Sequence, residues 1–500
     1  MSCIYGWWNL KGQEISISDW DKVTAITSWW SPDTSKSIIK DNVALGHLGL
    51  NLLSSDSVVD PNTIHESAKC SIVADTRLDN RKEILKKLNL EDNSISDSYI
   101  ILKLYLVYGE RCVDHLIGAF SFMIYNENKD EFFGARDHIG IKPFNYYYRD
   151  SKFIFGSQPK SILAVDGVDT YADWNFITLK ISRKMSVGDS TENLYIKKLL
   201  PAHTIKVTKD SIKTERYWNL NIEKEIEYKN EQDYVEHFLE LFKLSIKDRM
   251  RGTQNVSAHL SGGLDSSGIS AVAASLAPEY GKKFNSFSYT FPEKKNLKLP
   301  KGMVNFNPIV DKQVRHSNIS SNFSVNKTTF PGFRKHIELE SLACDGISWS
   351  NNVRTEWEIQ QLMSENKIGV NLSGFLGDEI ITSFVRPYYL EYLDKGKYFK
   401  FFMSKHRGKY QPLQLLTLFG LHIASKYRVP INNEFFARRY QTIRDKKQTR
   451  FINETHLFSK VYIDSHHDLK SALVNDYDPE IHQSIPLSLK AYQRNHIKRR

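Results

Sequence analysis

Glycines, hydroxyl groups and one carboxylate lie close together in one segment, which reads His-Leu-Ser-Gly-Gly-Leu-Asp-Ser-Ser-Gly from His259 to Gly268. Adjacent glycines let backbone N–H groups turn toward an anion, and the start of a helix adds the positive end of its dipole. Three serines add hydroxyl donors, and the Asp265 carboxylate is the kind of ligand that Mg²⁺ prefers. The segment therefore predicts a site for a magnesium-bound phosphate chain.

The loop lacks the lysine of a Walker A sequence, because no Gly-Lys-[Ser/Thr] follows its glycines. Without that lysine, the loop is better suited to holding a leaving pyrophosphate than to transferring a γ-phosphoryl group. The structural alternative is a serine-glycine turn that caps a helix through Asp265 or Ser266. The apolar strand in front of the loop favours the phosphate site.

Strands and helices alternate around this loop. Residues 256–260, 284–291 and 368–372 have the pattern of short buried strands, and residues 267–276 form a helix of small residues. This alternation is typical of a parallel α/β sheet. An amphipathic helix is predicted to begin near Asp233, and one of its faces holds Tyr234, Phe238, Leu241, Phe242 and Ser245.

The first 215 residues have a different pattern. Short strands are predicted near residues 43–53, 71–74, 119–125 and 152–155, with a helix at 99–108 between them. Strands and turns with few helices predict an α+β domain built on antiparallel sheet. We therefore expect an N-terminal domain over 1–215, a polar linker over 216–232, and an α/β domain with a helical C-terminal part over 233–500.

Composition limits the classes of protein and partner. No apolar run approaches the roughly 20 residues of a membrane span, and the N-terminus lacks the pattern of a secretory signal, so we expect a cytoplasmic protein. The net charge of +10 is interleaved with many acidic residues, and no nucleic-acid-binding module is found, which argues against a nucleic-acid partner. The four cysteines are scattered, which argues against a disulfide framework or a zinc site, and Cys70, Cys112 and Cys344 are predicted to be buried apolar side chains.

The loop resembles the pyrophosphate loop of the asparagine synthetase family, which includes the β-lactam synthetases and the lasso-peptide cyclases. Residues 286–291, Ser-Phe-Ser-Tyr-Thr-Phe, resemble the next strand of the family, whose backbone receives adenine. Residues 372–379, Leu-Ser-Gly-Phe-Leu-Gly-Asp-Glu, resemble the family's Leu-Ser-Gly-Glu-Gly-Ser-Asp-Glu segment. The three segments occur in the order that the family has.

The resemblance implies that ATP and Mg²⁺ bind at these segments. It assigns Asp265 and Asp378 to Mg²⁺ and to catalysis, with Glu379 as a further catalytic residue. The implied ATP-binding residues are Leu260, Ser261, Gly262, Gly263, Leu264, Asp265, Ser266, Ser267, Phe287, Tyr289, Ser373 and Gly374. In the implied reaction a carboxylate attacks the α-phosphorus of ATP, pyrophosphate leaves, and an amine then attacks the acyl-adenylate to form an amide.

The chain departs from the family pattern in two places, and the first of them lies near the site that accepts the amine. Phe375 stands where asparagine synthetases have glutamate and β-lactam synthetases have tyrosine. The family's Glu-x-Arg-x-Pro-Phe-x-Asp segment, which lies near a catalytic lysine, has only a weak match at residues 428–431, Arg-Val-Pro-Ile. A truncated C-terminus or a decayed ligase would account for the second departure.

The first half of the chain resembles the family's class II glutaminase domain, through residues 135–144 and 156–161. The resemblance implies an Ntn-hydrolase-like fold of two stacked antiparallel sheets. We expect the matching residues, including Arg136 and Asp137, to be structural.

The residues that glutamine hydrolysis requires are mostly replaced. The domain needs an N-terminal nucleophile, an arginine that binds the glutamine carboxylate, an Asn-Gly oxyanion hole and an aspartate for the ammonium group. The nucleophile position holds Ser2, the arginine position holds Gly49, and Ala-Asp-Thr-Arg at residues 74–77 replaces the Asn-Gly-Glu segment. Only Asp97 matches. We therefore expect an inactive glutaminase-like domain in which Ser2 is a vestigial nucleophile.

These features predict an ATP-dependent amide-forming ligase whose amine belongs to the substrate, as in lasso-peptide cyclases and β-lactam synthetases. The expected partner is a small-molecule or peptide carboxylate, and the expected protein partner is a second copy or another enzyme of a peptide-maturation pathway. Two alternatives stay open. One is a glutamine-hydrolysing asparagine synthetase that uses Ser2, and the other is a nucleotide-binding pseudoenzyme.

Overall fold

A computed structural model describes residues 2–28, 32–50, 68–91, 95–181, 188–221, 224, 226–252, 255–290, 307–326, 341, 345–346, 353–375, 377, 392 and 396–403. The chain divides into two compact units, Met1–Ser373 and Gly374–Arg500. Among the described residues, no helix combines the length and the apolar character that crossing a membrane requires. Asp378, Glu379 and residues 428–431 lie outside the described residues.

The described part of the N-terminal domain contains two antiparallel sheets. Their strands, in chain order, are β1 Cys3–Asn9, β2 Thr34–Lys40, β3 Val43–Gly49, β4 Cys70–Leu78, β5 Gly118–Asn126, β6 Glu131–Arg136, β7 Asn145–Arg149, β8 Lys152–Gly156, β9 Ile196–Lys198, β10 His203–Val207 and β11 Ile212–Arg216. One sheet has the order β2-β3-β1-β8-β7-β9 and the other has the order β11-β10-β6-β5-β4. The predicted α+β domain of antiparallel sheets is confirmed.

Five helices of this domain are described. They are α1 Ile17–Thr27, α2 Arg81–Lys87, α3 Asp97–Tyr108, α4 Pro159–Leu163 and α5 Trp174–Ile181, and a 3₁₀ turn at Gly109–His115 follows α3. The predicted helix at 99–108 starts earlier, at Asp97, because the Ser96 hydroxyl accepts a hydrogen bond from the Tyr99 backbone N–H and caps the helix.

The inward faces of the two sheets meet in an apolar core. Alternate residues of β1, Ile4 and Trp8, pack there with Val73, Phe132 and Phe155 from other strands. The intervening residues of β1, such as Tyr5, pack on the outer face of their sheet, where Tyr5 stacks on Trp20 of α1. The period-two alternation of β1 thus builds a core on both of its faces. Cys70 and Cys112 are buried as predicted, Cys3 is also buried, and Cys344 lies outside the described residues.

The turn after β6 is held by its own charged residues, as the sequence predicted for Arg136 and Asp137. The fully buried Asp137 carboxylate accepts hydrogen bonds from the backbone N–H groups of Phe120, Ile141 and Lys142. The Arg136 guanidinium donates to three backbone carbonyls, those of Gly140, Lys142 and Leu199. Both side chains therefore have structural roles.

The second domain begins with a helix and contains a parallel sheet. Its described elements are α6 Glu231–Arg249, β12 Asn255–His259, α7 Leu264–Leu276, a 3₁₀ turn at Ala277–Tyr280, β13 Phe284–Thr290, α8 Asn307–His316, β14 Ser321–Asn326, α9 Val353–Glu365 and β15 Ile368–Leu372. The sheet order is β14-β13-β12-β15, and every pairing is parallel. The predicted parallel α/β sheet is confirmed. In the second compact unit, α10 spans Tyr398–Met403.

Helix α6 differs from its sequence prediction in two respects. It begins at Glu231, ahead of the predicted Asp233, and Asn230 is its N-cap. Of the predicted apolar face, Phe242 packs against the core of the parallel sheet, whereas Tyr234, Phe238 and Leu241 are exposed. Periodicity identifies residues that share a face of a helix, but it does not show how much of that face another element covers.

The predicted linker is attached to the N-terminal domain at its start. The Tyr217 N–H donates to the Ala202 carbonyl at 2.9 Å, and the Tyr217 hydroxyl donates to the Arg136 carbonyl at 2.9 Å. Close to α6, the Tyr228 hydroxyl bonds to the His237 ring. Tyr217 and Tyr228, near the two ends of the predicted linker, therefore make hydrogen bonds to the elements beside them.

The imidazole of His47 lies between the two antiparallel sheets, because His47 pairs with Ile4 of the core between them. His47 of β3 is 5% exposed, and burial lowers the pKa of its imidazole from 6.5 to about 4, while the nearby Asp75 carboxylate opposes that shift. The ring is therefore neutral at pH 7. Its protonation at lower pH would place a charge in the core.

We predict that His47 makes the N-terminal domain sensitive to acid. Because the pKa of the folded state lies below that of the unfolded chain, the unfolded chain binds more protons. The stabilisation is complete above pH 6.5 and is lost as the pH falls toward 4. The pKa difference corresponds to about 3 kcal/mol in the free energy of unfolding. Urea unfolding followed by tryptophan fluorescence should show a weaker pH dependence for His47→Gln than for the exposed control His316→Gln. Equal pH dependence in both variants would contradict this assignment.

Candidate active site

The loop that follows β12 lies where the order of the parallel sheet reverses direction. From β12 the chain proceeds to β13 and β14 on one side, whereas β15 pairs with β12 on the other side. In open α/β sheets such a switch point leaves a crevice at the carboxyl ends of the strands, where ligands bind. Ala258 pairs with Leu372, so Ser373 directly follows the residue beside β12. The sheet therefore brings the loop and Ser373 to one edge.

The glycines shape the turn into α7. Gly262 has a φ of +81°, a conformation that glycine adopts without the steric penalty of a side chain. Helix α7 begins at Leu264 with Gly263 as N-cap, and its first internal bond runs from the Ser267 N–H to the Gly263 carbonyl. The N–H groups of Leu264, Asp265 and Ser266 precede that bond and lie in the first turn, at the positive end of the helix dipole. They form a concentrated set of donors for an anion.

Two serines hold the turn closed. The Ser266 side chain accepts a hydrogen bond from the Ser261 N–H at 3.1 Å, and the two hydroxyl oxygens lie 2.8 Å apart. The Ser261 hydroxyl in turn accepts a bond from the Gly263 N–H at 3.3 Å. Ser266 is 6% exposed, whereas Ser261 and Leu264 are exposed at the surface of the loop. Ser266 is thus a structural support within the predicted ATP-binding set.

The base of the loop is tied to the neighbouring strand. The Leu260 N–H donates to the Phe287 carbonyl at 2.8 Å, and the Ser288 hydroxyl donates to the Leu260 carbonyl at 2.8 Å. The Phe287 ring is buried and stacks on Phe323. Phe287 therefore supports the loop through its carbonyl, and its side chain belongs to the core. Half-buried Tyr289 meets the His259 ring edge to face at 6.0 Å, at the end of β12.

The structure adds Gln313, a residue that belongs to no sequence motif of the site. The Gln313 side-chain amide of α8 donates to the Ser267 carbonyl at 2.8 Å and so braces the first turn of α7 from the next helix. A single glutamine on an amphipathic helix has no sequence signal for this role. The contact depends on how α8 packs beside α7.

The predicted metal ligands are only partly described. Asp265 is half-buried in the first turn of α7, and its partner Asp378 lies outside the described residues, as does Glu379. Within the described residues, no group of three histidine, cysteine, aspartate or glutamate side chains is placed to hold a metal ion. In the second compact unit, the Gly377 N–H donates to the Gly374 carbonyl at 3.0 Å, and Phe375 is 84% exposed.

Comparison with known proteins agrees with both halves of this organisation. A family model described as asparagine synthase matches residues 237–499, and a model described as a glutamine amidotransferase domain matches residues 1–218. The chain belongs to the asparagine synthetase family.

Several relatives carry this family name. The chain is 31% identical to asparagine synthetase [glutamine-hydrolyzing] 3 of Bacillus subtilis, over 59% of the chain and 48% of the relative. It is 28% identical to putative asparagine synthetase [glutamine-hydrolyzing] 2 of Methanocaldococcus jannaschii, over 57% of the chain and 58% of the relative. Amidase chry2 of Gibberella zeae is 26% identical over 51% of the chain and 39% of that protein. The alignments thus span about half the length of these relatives.

A search of solved structures gives a weaker likeness. The glutamine phosphoribosylpyrophosphate amidotransferase of B. subtilis, complexed with ADP and GMP, superimposes with a TM-score of 0.32 and 12% identity. The superposition covers 74% of the chain and 90% of the amidotransferase. A score of this size carries no argument about function.

In this member of the family, Ser2 lies beside Gly49, because Cys3 pairs with Leu48 in the antiparallel register of β1 and β3. The Ser2 hydroxyl oxygen accepts a hydrogen bond from the Leu50 N–H at 3.1 Å. A Cβ atom at Gly49 would lie 2.2 Å from the Thr34 hydroxyl oxygen and 3.3 Å from the His47 ring. The position that corresponds to the carboxylate-binding arginine therefore has no room for a side chain unless Thr34 moves.

Two further carboxylates of the glutaminase-like domain, those of Asp75 and Asp97, are bonded to groups of the chain. The buried Asp75 carboxylate forms an ion pair with the Lys142 ammonium at 2.6 Å. Asp97, the one residue that matches the glutaminase pattern, is 2% exposed and binds the Leu78 N–H and the Arg81 guanidinium. The carboxylate that would hold an ammonium group is thus already bonded to groups of the chain itself.

We predict that Ser266→Ala weakens ATP binding by about tenfold, because its hydroxyl closes the turn through hydrogen bonds of about 1 kcal/mol each. Isothermal titration calorimetry with ATP and Mg²⁺ would measure the effect. Ser275→Ala is the matched control, since Ser275 is exposed on the same helix and bonds only locally to the Val272 carbonyl. The same affinity in both variants would count against Ser266 as a support of the loop.

Proposed function

We propose that this chain is an ATP-dependent amide-forming ligase that adenylates a substrate carboxylate, with the attacking amine carried by the substrate. The loop and first turn of α7 support this proposal, since they concentrate backbone N–H groups at the switch point of a parallel sheet. Membership of the asparagine synthetase family supports the use of ATP. The replacement of glutaminase positions at Ser2, Gly49 and residues 74–77 supports an amine source other than glutamine.

The reaction has two bond exchanges. A carboxylate oxygen attacks the α-phosphorus of ATP, and the bond between that phosphorus and the bridging oxygen breaks to release pyrophosphate. The amine nitrogen then attacks the acyl carbon, AMP leaves with the bonding electrons, and the nitrogen loses a proton. The contribution of the loop is to stabilise the negative charge of the leaving pyrophosphate through N–H groups that are oriented before the substrate arrives.

Mg²⁺ suits the donor set of this site. It is a hard cation that binds carboxylate and phosphate oxygens, and Asp265 offers a half-buried carboxylate in the same turn as the N–H donors. We propose Asp265 and Asp378 as its protein ligands. Bound there, the ion would neutralise charge on the phosphate chain.

A small-molecule or peptide carboxylate is the proposed substrate, as in the β-lactam and lasso-peptide branches of the family. Phe375 presents an exposed apolar ring after the Leu-Ser-Gly segment, at the position where other family members have glutamate or tyrosine. An apolar group at this place favours an amine that is bound with the rest of its substrate over a free ammonia molecule.

We predict that Asp265→Asn lowers the rate of ATP–pyrophosphate exchange by at least about a hundredfold, because an amide cannot replace the charge of a carboxylate on Mg²⁺. Asp378→Asn should have the same effect. Asp311→Asn, on the exposed side of α8, is the control and should retain the wild-type rate. Circular dichroism would verify that all three variants are folded. Exchange retained in both Asp265→Asn and Asp378→Asn would remove the proposed metal role.

A glutaminase assay tests the proposed source of the amine. We expect no ammonia release from glutamine by the wild-type chain, because the clamp and oxyanion positions are replaced. Ammonia release that disappears in Ser2→Ala would establish the glutamine-hydrolysing alternative. If exchange fails with all carboxylates offered while ATP still binds, the chain is a nucleotide-binding pseudoenzyme.

A further inference from the structure

A cluster of charged residues joins the N-terminal domain to the start of the parallel sheet. We define this interdomain cluster as Arg77, Asp79, Arg81 and Asp97 from the first domain and Asp248, Arg249 and Arg251 from the end of α6 and beyond it. Asp97 is at its centre. One oxygen accepts from Arg81 Nη1 at 2.7 Å and Arg251 Nη1 at 3.3 Å, and the other accepts from the Leu78 N–H at 2.8 Å and Arg251 Nη2 at 2.5 Å.

In these contacts, groups from both domains compensate the buried negative charge of the Asp97 carboxylate. The Asp97 side chain is 2% exposed, and those of Arg81 and Arg251 are 8% and 31% exposed. A carboxylate removed from water is costly unless opposite charges and hydrogen bonds surround it. Asp97 obtains one guanidinium from its own domain and a bidentate one from the neighbouring domain. The Asp97 carboxylate is therefore bonded by both domains at once.

Two further contacts flank Asp97. The Arg249 guanidinium pairs with the Asp79 carboxylate at 3.1 Å, and the Arg77 side chain donates to the Asp248 carbonyl. Burial and the nearby Arg251 lower the pKa of the Arg77 guanidinium to about 10. The end of α6 is thus fixed on the N-terminal domain at successive residues.

Arg251, which binds Asp97, lies shortly before β12, and β12 is the strand that precedes the nucleotide loop. Arg251 is followed by Gly252, and β12 begins at Asn255. From the other side, the Lys282 ammonium donates to the Met250 carbonyl at 2.8 Å and the Gly252 carbonyl at 2.6 Å. The entry to β12 is therefore held between the N-terminal domain and the segment that precedes β13. At its other end, β12 continues into Leu260 and the loop.

We propose that Asp97 is a positioning residue for the nucleotide site, which fixes the entry to β12 through Arg251. The N-terminal domain then contributes to adenylation as a support for the sheet. This inference rests on the proposed function for its catalytic readout, because it assumes that the loop after β12 holds ATP. In this role the Asp97 carboxylate stays bonded to Arg251. The ammonium group of a ligand would have to displace that guanidinium.

Arg251→Ala and Arg249→Ala provide a matched test. Both arginines lie at the end of α6 or just beyond it, with side chains that are 31% and 32% exposed, but one binds Asp97 and the other binds Asp79. We expect Arg251→Ala to lower kcat for ATP–pyrophosphate exchange by about tenfold to a hundredfold, as displacement of a positioned loop does. Arg249→Ala should change it by less than about twofold, since its partner Asp79 is 14% exposed, against 2% for Asp97, and an ion pair closer to water contributes less.

Chemical rescue separates positioning from general stability. Millimolar guanidinium should restore a large part of the exchange rate of Arg251→Ala, because it can occupy the space beside Asp97, and it should not change that of Arg249→Ala. Hydrogen–deuterium exchange at residues 255–263, measured without ATP, should rise in Arg251→Ala and fall again with guanidinium. If Arg251→Ala does not fold, Arg251→Lys, which keeps the charge but loses the bidentate contact, takes its place and should show the smaller loss without rescue.

The outcomes distinguish the two proposals. If the wild-type chain catalyses no exchange, the proposed function fails, and deuterium uptake at residues 255–263 alone decides the role of Asp97. Equal uptake in Arg251→Ala and Arg249→Ala would overturn the positioning role. It would also be overturned if the wild-type chain hydrolysed glutamine and Asp97→Asn abolished that hydrolysis, since Asp97 would then be a ligand of the substrate.

Discussion

The parallel pairing of β12 with β13 on one side and β15 on the other is the constraint on which the candidate site depends. Parallel strands end at one edge of their sheet, so this register brings the loop after β12 beside Ser373. The bonds between Leu260 and both Phe287 and Ser288 continue the pairing into the loop itself. The helix N-terminus is therefore aimed by the sheet, and Gly262, Ser261 and Ser266 only adjust its local shape.

The N-terminal domain keeps a glutaminase-like fold although most of the residues that glutamine hydrolysis requires are replaced. Its core depends on Ile4, Trp8 and the phenylalanines between the sheets, none of which touches glutamine chemistry in the family pattern. The positions of the glutaminase pattern at Ser2, Gly49 and Asp75 do not belong to that core. At those positions the chain has substituted its own interactions, such as the bond to the Ser2 hydroxyl and the Asp75–Lys142 ion pair.

Buried carboxylates connect the two domains at more than one place. Besides Asp97, the Asp345 carboxylate of the second domain accepts bonds from both the backbone N–H and the ammonium group of Lys160, each at 2.9 Å. Burial raises the pKa of Asp345, while these bonds to Lys160 oppose the shift. Such contacts explain why residues 1–373 form one compact unit although two family models divide them.

The sequence by itself determined the loop from Ser261 to Ser267, the flanking strands and the two fold classes, because glycine spacing and strand periodicity are local properties of the chain. It misplaced the start of α7, at Ser267 instead of Leu264, because hydrophobic periodicity does not register a polar first turn. Only the tertiary structure showed that Gln313 braces the loop and that Arg251 binds Asp97. Those contacts join residues distant along the chain, and their partners are chosen by packing and by the need to compensate a buried charge.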